Sequence, residues 1–188
     1  MKITKLKTRN LAQGFTILET IVAIAIVSLA IAGAASAVRI GLVGASSAKD
    51  QARGFYLAQE AIEIIRNMRD ANALNSFNGG SNNWLTGIAD ISSDPCFPGK
   101  TCMVDATGPG GVFLSACSGG FSSCSFLRQN TSTFLYGYNG SWPVVQFKRE
   151  VQIEKIAGNE ALVTVLVSWT RGATQKSFKT KTILMDWF

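Results

Sequence analysis

The sequence predicts an α+β protein: a long N-terminal helix, with an apolar half and an amphipathic half, packed on a small C-terminal antiparallel β-sheet. Three observations carry the prediction. No charge interrupts the chain between Glu19 and Arg39. From Phe55 onward, apolar residues recur at helical spacing, and the last third alternates apolar and polar residues between short turns.

The apolar stretch is GFTILETIVAIAIVSLAIAGAASAV, residues 14–38. It is long enough to span a bilayer, since a hydrocarbon core of about 30 Å needs roughly 20 helical residues at 1.5 Å each. Glu19 breaks its pattern. A lone carboxylate at bilayer depth costs on the order of 2.5–3.5 kcal/mol, and the segment itself offers no cation. Ahead of it lie Lys2, Lys5, Lys7 and Arg9 with no acid, so this end is expected to stay in the cytoplasm and the C-terminal part outside it.

Basic leader, Gly14, Phe15, then Thr16, Ile17, Leu18, Glu19 and an uninterrupted apolar run together resemble the class III leader of type IV pilins and pseudopilins. The resemblance implies a pilin-like fold and cleavage after Gly14 by a prepilin peptidase and N-methyltransferase that methylates the new amino group on Phe15. It also implies an assembly role for Glu19, which would meet the Phe15 amine of a neighbouring subunit. The implied partners are that enzyme, other pilin subunits, an inner-membrane assembly platform, and membrane lipid before assembly. Local chemistry agrees: Gly14 lets a peptidase approach the backbone closely, and a freed Phe15 amine supplies the cation that Glu19 lacks. A competing reading comes from Ala35, Ser36 and Ala37, which form an AxA signal-peptidase site. Cleavage after Ala37 would release a secreted, disulfide-stabilised binding module. A long n-region and a glutamate within the h-region speak against it.

At 188 residues the chain is sized for one domain plus its anchor. The net charge of +6 falls to +2 once Lys2, Lys5, Lys7 and Arg9 leave with the leader, so the basic balance is no nucleic-acid footprint. The expected organisation is a cleaved leader at 1–14, a transmembrane or filament-core helix at 15–40, and an amphipathic continuation at 41–74. A Gly/Ser/Asn-rich loop region with the cysteines follows at 75–142, and an antiparallel sheet at 143–188.

No proline precedes Pro95, so Gly41, Gly44 and Gly54 soften the helix without ending it. Phe55, Ala58, Ile62 and Ile65 make one stripe, and Leu57, Ala61, Ile64 and Met68 a second beside it. Glu60, Glu63, Arg66, Arg69 and Asp70 are expected on the solvated side, with Glu63 and Arg66 spaced for an ion pair. Asn72 to Asn75 is the expected end. Cys96, Cys102, Cys117 and Cys124 lie beyond the membrane segment and read as disulfides pinning loops that lack a core of their own. Three full pairings are open. The local pairs, Cys96 with Cys102 and Cys117 with Cys124, are preferred because each closes a short loop.

In the last third, Val145, Phe147, Val151 and Ile153 share a strand face that Arg149 interrupts, with Gln146, Lys148, Glu150, Gln152 and Glu154 opposite. Val163, Val165, Val167 and Trp169 face one way on the next strand, and a third runs from Lys176 to Trp187. The VTVLVSWTRG hairpin looks like that of minor pilins of the PilV type. A three-strand meander needs cover, which the amphipathic helix supplies.

No catalytic constellation is present. The chain has no histidine, hence no Ser/His/Asp or Cys/His arrangement, and no phosphate-binding glycine loop. The cysteine gaps do not suit zinc, and Asp90, Asp94 and Asp105 are too scattered for calcium. No cofactor, metal site or enzymatic activity is expected. Lys148, Arg149, Lys176, Lys179 and Lys181 would bind DNA only if they shared a face; a solvated sheet surface is the preferred reading. Trp169 and Trp187 read as core. The function expected is a structural one, as a minor pilin or a type II secretion pseudopilin.

Overall fold

The computed structural model describes residues 14–81, 83–108 and 111–186. The leader cations and Trp187 lie outside the described residues. By contacts the chain divides into two units, Met1–Ala48 and Lys49–Phe188. A single helix, α1 (Ile17–Phe77), supplies residues to both.

In the first unit α1 is helical throughout and every residue from 14 to 45 is exposed. In the second unit it carries a buried stripe of Leu57, Ala58, Ala61, Ile62, Ile64 and Ile65, the two stripes expected from the spacing. Phe55 keeps 42% of its surface exposed. The helix runs past Asn75 to Phe77 because glycine, not asparagine, stops it. Gly79 adopts φ 84°, and the Asn78 and Gly80 amides donate to the Leu74 and Asn75 carbonyls at 3.1 and 2.9 Å. Asn72 works sideways instead. Its amide donates to the carbonyls of Thr86 at 2.8 Å and Trp84 at 3.3 Å, which fastens the following loop to the helix.

The sheet has five strands, in the order β2-β1-β5-β6-β7, every neighbour antiparallel. β5 (Phe147–Ala157), β6 (Glu160–Arg171) and β7 (Thr174–Met185) form the expected meander. β1 (Thr101–Gly108) and β2 (Gly111–Ala116) extend it from within the stretch where only loops were expected. Short length and the Asp105 and Gly108 interruptions hid these two strands, yet Val104 and Leu114 pair and face the core. A separate ribbon pairs β3 (Arg128–Gln129) with β4 (Tyr136–Gly137).

Phe147, Val151, Ile153, Val163, Val165, Val167 and Trp169 bury one sheet face against the helical stripe, joined by Leu85 and Ile88 from the loop after α1. Gly54 is needed here. A Cβ on it would come 2.9 Å from Cζ3 of Trp169, so the helix approaches the sheet through a position without a side chain.

Candidate assembly end and buried charge centre

Thr16 starts α1. Its hydroxyl accepts a hydrogen bond from the Glu19 amide at 3.3 Å, and its carbonyl accepts from the Thr20 amide at 3.2 Å. Thr-x-x-Glu is capping-box spacing, so Glu19 lies in the first helical turn, where the helix dipole favours a carboxylate. Among the described residues no salt bridge reaches Glu19. Phe15 precedes the helix with 76% of its surface exposed, and the space around Gly14 is open within 4 Å. Among the described residues nothing crowds the side-chain position of Gly14. Behind it, Ile17, Leu18, Ile24, Ile26, Leu29 and Ile31 are each more than 60% exposed, and the helix is long and apolar enough to cross a membrane.

A second centre lies inside the globular unit. Arg149 points inward from β5 with no exposed side-chain surface. Its guanidinium donates to the Glu60 carboxylate, to the Val104 carbonyl at 2.6 Å and to the Leu57 carbonyl at 3.4 Å. Glu60 is therefore not part of a solvated helix face; it is the counter-ion of a buried cation. Arg69, also expected in solvent, is 8% exposed and donates to the Met185 carbonyl at the end of β7. Glu63 and Arg66 do form the surface pair, at 2.7 Å. The Tyr138 hydroxyl donates to the Arg149 carbonyl at 3.1 Å, and burial pushes the phenol pKa up to about 12 against the opposing influence of the Arg149 charge. Asp105 accepts from the Thr107 amide and hydroxyl at 2.7 Å each and from the Tyr138 amide at 2.9 Å.

The cysteines pair as Cys96–Cys102 and Cys117–Cys124. The second loop covers the face of the sheet that points away from α1. There Glu150, on the strand face opposite the apolar one as expected, is fully buried, its two carboxylate oxygens accepting from the Ser122 amide at 2.9 Å and the Cys124 amide at 3.1 Å. Of the five basic residues, strand register places Lys148, Lys179 and Lys181 on this outer face. Arg149 is in the core, and Lys176 lies opposite Trp169 in register.

Sequence reasoning missed Glu60, Arg149, Tyr138 and Asp105 as a linked set. The signal was the arginine at an inward strand position. Among the described residues no group of three or more His, Cys, Asp or Glu side chains could hold a metal ion.

A family model described as the prokaryotic N-terminal methylation motif matches residues 9–35. Comparison with curated proteins and with solved structures gives no significant match. The chain thus carries a class III prepilin leader motif at the head of a long helix whose first part is apolar and exposed, a combination consistent with a pilin-like protein.

Proposed function

We propose that this chain is a minor pilin or a type II secretion pseudopilin: a structural subunit cut after Gly14, methylated on Phe15, held in the membrane by its N-terminal helix and then drawn into a filament. The observation that carries this reading is the pairing of the methylation motif with a helix whose residues 17–45 are all exposed. A helix apolar on every side requires lipid or other helices around it. In the filament Glu19 meets the Phe15 amine of a neighbour, and Ala23, Ala30, Gly33, Ala34 and Ala37 let helices approach closely. The globular unit faces out of the cytoplasm, where its disulfides persist.

The test is the N-terminus and intact mass of the protein taken from its own cell envelope. The expected chain begins at Phe15 and is heavier by one methyl group; a soluble chain beginning at Val38 would overturn the proposal. Glu19→Ala is expected to leave a stable membrane protein that fails to enter filaments, and normal incorporation would refute the role given to the carboxylate.

A further inference from the structure

The two free edges of the sheet differ in chemistry. β7 is a long edge strand carrying Lys176, Lys179 and Lys181 and no acid. Lysines along an edge discourage pairing with an identical edge. At the other side β2 has the sequence GVFLSA, with no charge and no proline. It pairs only with β1 among the described strands, and Phe113 on it is 58% exposed. An apolar, unguarded edge is an open template for another strand.

Beside this edge lies a groove lined by Asp105, Thr107, Gly108, Phe113, Tyr138 and Asn139. Asp105 is 5% exposed, and among the described residues no salt bridge reaches it. Both of its carboxylate oxygens already accept hydrogen bonds from Thr107 and Tyr138, so what the groove presents is the uncompensated negative charge of Asp105 beside the exposed ring of Phe113, its cross-strand neighbour, a setting that suits a cationic side chain.

Register settles which faces correspond. Asp105 pairs with Phe113 and Thr101 with Gln152, so Asp105, Phe113 and Ser115 lie on the outer face, the one away from α1. Lys179 and Lys181, opposite Leu166 and Thr164, lie on that same face. Every neighbouring pair in the sheet is antiparallel, so β2 and β7 run in the same direction. If a second copy continues the sheet with its outer face on the same side, its β7 lies parallel to β2 and its outer-face lysines come to the Asp105 groove.

We propose that β2 is the acceptor edge for the lysine-bearing β7 strand of a second copy of this chain. The contact is head to tail, a type that builds an open filament wherever its rotation does not close into a ring. Main-chain hydrogen bonds would hold the strand, and the groove would select its side chain. The proposal rests on the filament reading and deepens it by naming a contact between globular units.

The experiment uses two full-length variants in detergent, Ser115→Cys on β2 and Lys179→Cys on β7, with the native disulfides checked by mass and a short bis-maleimide as the probe. A mixture of the two is expected to give the mixed cross-linked dimer in roughly tenfold excess over either like pair, because β7 edges repel one another. Adding Lys181→Glu to the β7 partner, or raising the salt, is expected to lower that yield severalfold. Cross-linking only between Ser115→Cys chains, equal yields of all three dimers, or no dimer from correctly disulfide-bonded protein would each overturn strand addition at β2. The methylated N-terminus is read separately. Loss of cross-linking in a chain that begins at methylated Phe15 refutes this contact alone, whereas a chain beginning at Val38 refutes the filament reading.

Discussion

Between Ile17 and Ala45 no residue of α1 is buried, whereas ten residues between Asp50 and Ala73 are. Both stretches are rich in apolar side chains and both are helical. They differ in distribution. The first is apolar around its whole circumference, and each residue beyond Glu19 is uncharged until Arg39. The second gathers its apolar residues on one side and keeps charges at Glu63, Arg66 and Asp70 on the other. A one-sided stripe names its partner inside the same chain, here β5 and β6. An all-round apolar surface names a solvent or a neighbour that the chain does not contain.

The contrast can be broken most sharply at Arg149. Arg149→Ala removes the partner of the Glu60 carboxylate, a donor to the Val104 carbonyl and the volume of a side chain with no exposed surface, and is expected to destabilise the globular unit by about 3–5 kcal/mol. The check is the urea midpoint of the full-length protein in detergent, followed by tryptophan fluorescence. Next comes a matched pair of truncations. Leu57→Ala empties core volume and is expected to cost about 2–5 kcal/mol on the same transition. Leu29→Ala, at a side chain 74% exposed, is expected to leave that transition unmoved and to lower only filament incorporation. Equal effects of the two would erase the distinction between the halves.

The smallest effect is one of pH. Tyr138 has its pKa raised from 10.0 to about 12 in the folded protein. Above pH 10 the unfolded chain gives up the phenol proton while the folded chain holds it. The contribution of this group is therefore whole below pH 10 and is lost as pH climbs toward 12, by about 2–3 kcal/mol in all. Tyr138→Phe is expected to flatten that part of the pH profile, measured by urea titration at pH 9 to 12 (about one step per unit) against the unaltered protein.

The long helix, its two stripes and the three long strands were legible because each is periodic over many residues and agrees with its neighbours. β1 and β2 were not, since the charge at Asp105 and the register shift between it and Gly108 break the pattern of one, and the other has six residues to read. The charges were hardest. Glu60 sits at a helical position indistinguishable in spacing from Glu63, and only the strand that carries Arg149 decides that one is half-buried and the other solvated. Similarly, Glu150 has the spacing of a solvated residue and owes its burial to the loop closed by Cys117 and Cys124. Such assignments depend on contacts distant in sequence, which local periodicity does not record. At the N-terminal end, Gly14, Phe15 and Glu19 lie close together in sequence, within the residues 9–35 that the methylation-motif family model matches.

Glu60 and Arg149 are 89 positions apart in the chain. At synthesis rates of roughly 5–20 residues per second, the acid waits several seconds for its base. All four cysteines emerge within that interval, so the two short covalent loops can close on a domain that has not yet settled. The β5 to β7 meander arrives last, and with it the Arg149 cation and the Met185 carbonyl that fasten the helix to the sheet. Settling of the globular unit is thereby tied to completion of the chain: a product that stops before β5 lacks both the cation that neutralises Glu60 and the sheet face that covers the apolar stripe of the helix.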